Sequence, residues 1–457
     1  MKKIVSIIVS LLIGFTLCGC GTGNNGENGG GESVSNMDNR FKGQPEYEDD
    51  REMLISGYWS PRPVDELWAD VKEAGFTHMY LEGKYGAHGS ENYLRALTLA
   101  EKYDIKIIAQ RYSEADGFEA DPTDYSKYPA FDGFNIWDEP GKNHFAVIAN
   151  DVETFNRLYG DTDKVFYSNL YPHYATGTQT GYPSFAEYVD AYCRQVIKNV
   201  KNKKVLSCDS YPLMREAARD KNFLLSGHLS SVNTIARAAK RYGAEPYFFI
   251  QSMSYGDRRA PLLADFCLQA NTCFAFGIRG IQHFTYMTPN NAPGGEFNYD
   301  QDGNLQTALL DRENQKTERW AYAKELNRQI AFFDHVYLNF SWDGVMTTEG
   351  TASEEHTDDF GALASVLKKH ARVKSFRATE DTLLGCFTDE KGYQGFMVTP
   401  YLETTLNRTT TVTLQFEQAD KALLYTRGTS SVAELKDGEL TLEIAPGDGV
   451  FVIPYVA

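Results

Sequence analysis

The segment FDGFNIWDEPG, residues 131–141, decides how this chain is read. It starts as a strand and ends in two adjacent carboxylates, Asp138 and Glu139, before Pro140 and Gly141. Alternate side chains of a strand face opposite sides. Phe134 and Ile136 share one face; Gly133, Asn135, Trp137 and Glu139 share the other. With the apolar face against helices, Glu139 is expected to point into whatever the sheet encloses and Asp138 to point away. A carboxylic acid partly desolvated beside a tryptophan has its pKa raised toward neutrality, as a general acid requires. The same Asp-Glu-Pro would also suit the cap of a following helix. The order of elements around it therefore decides.

Upstream, LISGYWS (54–60), THMYLEG (77–83) and IKIIAQR (105–111) are β-prone. They are separated by VDELWADVKEAG (64–75) and ENYLRALTLAEKYD (91–104), whose apolar residues recur at helical spacing. Downstream, the strands KVFYSNL (164–170), KVLSCDSY (204–211), EPYFFIQSMSY (245–255) and IRGIQHFTYM (278–287) alternate with helical patterns around 144–159, 184–200, 227–242, 261–276 and 316–333. Such alternation means parallel strands joined by helical crossovers. Eight strands over residues 51–340, seven followed by these helical patterns and the third by the long loop 112–130 where the repeat implies another helix, predict a closed (β/α)8 barrel, the TIM barrel of the α/β class, with FDGFNIWDE as its fourth strand. No glycine-rich phosphate fingerprint follows any strand, which disfavours a nucleotide fold.

Beyond residue 340 the pattern changes to short alternating segments such as TLLGCFTD, YQGFMVTPYL and GVFVIPYV, separated by turn signals such as Asp437-Gly438. Residues 341–457 are expected to form a C-terminal all-β sandwich, either packed beside the barrel or binding carbohydrate. At the other end, Lys2 and Lys3 precede an apolar run from Ile4 to Leu17, too short for a comfortable membrane span. Residues 1–20 resemble a bacterial lipoprotein signal, which implies cleavage after Gly19 and lipid on Cys20. Residues 21–50 have almost no apolar content and read as a flexible tether. A protein at the cell surface or in the periplasm, anchored to a membrane by lipid, is the expectation. The net charge of −17 argues against a nucleic-acid partner. Five cysteines remain after the signal, an odd number with no CxxC pair, so neither a metal cluster nor a disulfide framework is expected.

Barrel sites lie at the C-terminal ends of the strands. Those ends deliver Glu82, Arg111, Trp137-Asp138-Glu139, Asn169, Asp209 and Tyr211, Gln251 and Tyr255, and His283 and Tyr286. Each alone would be an ordinary solvated strand end. Together they form a ring of carboxylates, amides, Arg and aromatic faces, which is what sugar recognition and proton transfer need. No metal or cofactor is called for.

A barrel with a glutamate ending its fourth strand, followed by a small β-sandwich, resembles the large clan of retaining glycoside hydrolases. The segments that carry the resemblance are Trp137-Asp138-Glu139-Pro140, Asp209-Ser210-Tyr211-Pro212 and Phe276-Gly277-Ile278-Arg279-Gly280-Ile281 running to Phe284-Thr285-Tyr286. The resemblance implies an oligo- or polysaccharide substrate and Glu139 as acid/base. The clan places its nucleophile, a second glutamate, at the end of strand seven; Gln251 stands there in this chain. Three readings follow. Asp209 supplies the second carboxylate. Or the substrate supplies its own nucleophile, because the Asp138-Glu139 pair is similar to the hexosaminidases of glycoside hydrolase families 20 and 123. In those families the Asp orients a 2-acetamido group and the Glu protonates the leaving oxygen. Or the barrel is a non-catalytic carbohydrate-binding lipoprotein. Under the first two, Trp137, Tyr211, Tyr255 and Tyr286 would shape the sugar subsite, and Glu82, Arg111, Asn169, Gln251 and His283 would bind hydroxyls.

Overall fold

The computed structural model describes residues 41–112, 118, 120–289, 297–300 and 303–457. Eight strands close into a barrel: β1 (Leu54–Gly57), β2 (His78–Leu81), β3 (Lys106–Gln110), β4 (Phe131–Asp138), β5 (Val165–Leu170), β6 (Val205–Asp209), β7 (Glu245–Gln251) and β8 (Gly280–Phe284). Around the barrel the order is β1-β8-β7-β6-β5-β4-β3-β2, and every pair is parallel. Parallel strands covered on both faces are apolar on both. Phe134, Phe166, Leu206, Phe248, Ile250 and Ile281 pack outward against the helices. Leu54, Tyr80, Ile108, Val165, Tyr167, Val205, Tyr247 and Phe249 form a separate cluster inside.

Three sequence expectations change. The β3–β4 connection has no α-helix among its described residues, only a 3₁₀ turn at Tyr125–Lys127. Aromatic rings cover the barrel there instead: Tyr125 stacks on Phe131 at 4.2 Å and Phe118 meets Phe134 edge-on at 4.5 Å. Secondly, after β6 the chain inserts a hairpin, Leu213–Glu216 paired with Lys221–Leu224, before helix His228–Tyr242. Thirdly, the tether expected to run to residue 50 ends sooner. The Gly43 amide donates to the Val456 carbonyl at 2.7 Å, and the Tyr47 hydroxyl donates to Asp389 at 2.8 Å. Residues 1–40, with Cys20, lie outside the described residues.

The C-terminal residues form a six-stranded and a three-stranded antiparallel sheet. Leu384, Phe396 and Val452 from the first share one core with Val412, Leu414 and Leu440 from the second, so the two make a sandwich. The six-stranded sheet includes Phe340–Thr348 and the largely exposed Thr429–Glu434, two strands whose sequences gave little alternation to read. Its other face presses on the barrel helices Leu263–Ala275 and Glu318–Tyr337. Tyr337 meets the rings of Phe387 and Phe451 at 5.5 and 5.9 Å. A Cβ at Gly385 would lie 2.3 Å from the Ala275 carbonyl, so only glycine permits this approach. The five described cysteines are buried free thiols.

Candidate active site

The site begins with an irregularity in β4. Gly133, Phe134 and Asn135 pair in step with Val165, Phe166 and Tyr167, but the next partner of Asn169 is Asp138. Three steps on β4 span two on β5, a β-bulge at Ile136-Trp137. One extra residue inverts the parity of everything after it. Trp137 therefore leaves the inward face. It stacks on the His144 ring at 4.4 Å and lies 5.5 Å from the Arg111 guanidinium. Asp138 turns inward, so the expectation that it points away is overturned. Glu139 follows with a φ of 50°, and its amide donates to the Asn169 carbonyl at 2.8 Å. A left-handed conformation at a non-glycine residue is unfavourable and clusters at functional sites. Here it brings a second consecutive carboxylate to the same cavity.

That cavity, of about 460 Å³, opens at the C-terminal ends of the strands. One side carries Asp138, Glu139, Asn169 and Asp209 from β4 to β6. Across the barrel, β1 and β8 supply Tyr58, Trp59 and Phe284, whose rings lie 5.4 to 5.9 Å apart. Tyr211, Tyr255 and Phe297 extend this aromatic wall. A polar face opposite an apolar one suits a sugar ring, which has hydroxyl edges and apolar C–H faces.

One amide ties the aspartates together. Asn169 Nδ2 donates to Asp138 Oδ1 and to Asp209 Oδ1, each at 3.3 Å. Its orientation is fixed from below: the Ser207 hydroxyl donates to Asn169 Oδ1 at 3.0 Å, and Gln282 Nε2 donates to Ser207 at 2.8 Å. The Tyr80 and Tyr167 hydroxyls close the chain on Gln282 Oε1. Asp209 is 7% exposed. Burial, then the charge of Asp138, push its pKa up to about 7, against hydrogen bonds from Tyr211 and Asn169. Asp138 is open to cavity water yet walled by protein, and that loss of bulk hydration raises its pKa too. Two carboxylates so placed retain a proton into the neutral range.

Of the residues expected at the site, Asp138, Glu139, Asn169, Asp209, Tyr211 and Tyr255 line the cavity. The others lie elsewhere. His283 faces the helices, with its ring between the Ser252 hydroxyl and Asn327 Oδ1, because inward parity on β8 belongs to Gln282 and Phe284. Tyr286 is fully buried against Phe76. Gln251 is an internal brace: its Nε2 donates to the Arg259 carbonyl and its Oε1 accepts from the Leu213 amide. Arg111 is paired with Asp151 at 2.9 Å behind Trp137. Glu82 is half-buried beside the cavity and acts on it through its charge near Tyr58. Sequence reasoning missed Tyr58, Trp59, Phe284 and Arg258. Tyr58-Trp59 follows β1 directly and obeys the strand-end rule that found the others. Arg258 sits in a loop whose path no periodicity announces.

No protein-family model and no curated protein matches the chain. Among solved structures, it is similar to a 4-O-α-L-rhamnosyl-β-D-glucuronidase from Fusarium oxysporum, with 8% identity and a TM-score of 0.44 over 91% of this chain and 98% of that one. A glycoside hydrolase family 5 protein from Bacteroides vulgatus matches with 9% identity and a TM-score of 0.44, over 88% and 90%. An Anoxybacillus α-amylase matches with 12% identity and a TM-score of 0.41, over 91% and 100%. Likeness at this level carries no argument about the reaction; the cavity's own residues must.

Proposed function

We propose that the chain is a glycoside hydrolase acting on an extracellular glycan, with Glu139 as proton donor and Asp138 as the carboxylate that manages the positive charge. The observation that carries this is the β4 bulge, which turns Asp138 into the cavity immediately before Glu139. Glycosidic cleavage needs a proton on the leaving oxygen and negative charge near the oxocarbenium-like carbon. Glu139 protonates the oxygen as the C1–O bond breaks and its electron pair leaves with the aglycone. The carbonyl oxygen of a 2-acetamido group attacks C1 from the opposite face, while Asp138 accepts a hydrogen bond from the acetamide N–H. Water then opens the cyclic intermediate, giving up its proton to Glu139, and configuration is retained. The sugar face rests on Tyr58, Trp59 and Phe284. The cell-surface or periplasmic location and the lipid on Cys20 belong to the same proposal.

A second reading, with Asp209 as the second carboxylate, draws support from its place in the cavity lining. Its pKa of about 7 and its hydrogen bonds to Tyr211 and Asn169 fit it better to setting the charge of Asp138. Matched aryl glycosides with a 2-acetamido or a 2-hydroxyl group separate the two: substrate assistance requires the first, and a two-carboxylate mechanism accepts the second. E139Q is expected to lower kcat by a factor of about 10²–10⁴ with binding retained. A wild type that binds glycans and cleaves none of a broad panel would make this a binding protein.

A further inference from the structure

Arg258 is the only Lys or Arg among the described residues that line the main cavity. Among the described residues it is also the one shared with a second cavity of about 280 Å³, where Arg215, Arg259, Asn222 and Thr405 join it together with one carboxylate, Asp300. We propose that Arg258 is an anion-recognition residue, and that the glycan bears a carboxylate or sulfate ester on a sugar held between the two cavities. The inference rests on the glycosidase reading only in taking the main cavity as the sugar site.

Arg258 is built to hold its position. Its loop is pinned to the neighbouring hairpin: the Arg215 amide donates to the Asp257 carbonyl at 2.9 Å, and the Arg259 amide to the Leu213 carbonyl at 3.0 Å. The Tyr255 carbonyl accepts from the Arg258 amide at 2.9 Å. Next door, Arg259 makes a buried two-point contact with Asp265 at 2.6 and 2.7 Å. The Arg258 guanidinium lies 4.9 Å from the Tyr255 ring centre and 5.5 Å from that of Tyr174. Asp257 accepts from Nη1 at 3.0 Å and the Tyr174 side chain takes a further hydrogen bond, and a guanidinium with five N–H donors has others beyond these to present, as a planar fork, to a carboxylate or sulfate edge.

Charge balance within the protein is the competing explanation, and the contacts disfavour it. The largest electrostatic partners of Arg258 are Tyr255, Tyr174 and Asp257. Its carboxylate partner, Asp257 at 3.0 Å, is 57% exposed, so that pair is screened by water while Arg258 itself is only 16% exposed. The ionised Asp138 of the cavity and a net charge of −17 repel an anionic glycan. One fixed cation at the cavity border gives such a glycan a defined point of attachment.

The test is calorimetric titration of the full chain carrying E139Q, so that probes survive. The probes are a hyaluronan tetrasaccharide (carboxylates only), a chondroitin sulfate tetrasaccharide (carboxylates and sulfates) and neutral chitotetraose. The expected result is at least roughly tenfold tighter binding of an acidic probe than of chitotetraose, weakening with salt. Hyaluronan reaching that level assigns the carboxylate; only the chondroitin probe reaching it assigns the sulfate. Adding R258Q is expected to remove the preference, bringing the acidic probes to the level of chitotetraose. R258K, which keeps the charge but loses the fork, is expected to lose several-fold of the preference and guards against a folding defect in R258Q. Equal binding of acidic and neutral probes, or a preference unchanged in both variants, overturns the proposal. Because no turnover is read, a preference that depends on Arg258 survives even if the wild type hydrolyses nothing.

Discussion

Among single residues, three cavity carboxylates differ in their surroundings. Asp209, buried and facing Asp138, holds its proton up to about pH 7. An ordinary aspartate releases it near 3.9. The folded state therefore binds this proton more tightly than the unfolded chain. The stability so gained is fully present below about pH 4 and is lost as pH rises toward 7, at up to about 1.4 kcal/mol per unit. D209N removes that slope. Thermal melts should show it gaining on the wild type between pH 5 and pH 8; a constant difference would mean Asp209 titrates normally. D138N is expected to reduce kcat at least as much as D209N, because Asp138 is the aspartate open to the cavity.

At the scale of elements, β4 does the positioning. Gly133 has a φ of 145°, and a Cβ there would meet the Val165 carbonyl at 2.0 Å. G133A is expected to cost more than about 3 kcal/mol in denaturant unfolding; a mild effect would mean the strand can slip. Trp137, the residue displaced by the bulge, is clamped outside by His144 and Arg111. W137A should lower kcat about tenfold or more with KM little changed, since it releases the strand end and touches no substrate. The sequence made the eight strands legible because each is a short apolar run bounded by turn residues, and Glu139 and Asp209 follow from strand ends. The bulge was illegible, since a parity count over FDGFNIWDE assumes an unbroken ladder, and it reversed Trp137 and Asp138. His283 differs: Gln282 and Phe284 hold the inward parity of β8, and a polar residue near a strand end is not thereby an inward one. Arg258 and the hairpin that pins it depend on long-range pairing that no local pattern encodes.

At the scale of the whole molecule, barrel and sandwich are joined through a continuous core. Tyr337 donates to the Phe274 and Ile278 carbonyls and packs on Phe387 and Phe451. Arg259, beside the Arg258 loop, also bonds Glu403 from the loop that follows strand Gln394–Pro400 of the C-terminal domain. Removing residues 341–457 would expose this core. The truncated chain is expected to be insoluble, whereas a well-folded barrel alone would show the sandwich to be an independent module. The intact chain is also the form in which the chemistry is to be read. The most direct test is kcat/KM of the full chain on 4-methylumbelliferyl 2-acetamido-2-deoxy-glycosides beside their 2-hydroxyl counterparts. The account predicts hydrolysis confined to the acetamido sugars, lost in E139Q and in D138N. Hydrolysis of the 2-hydroxyl glycosides at equal rate, with D138N fully active, would contradict it.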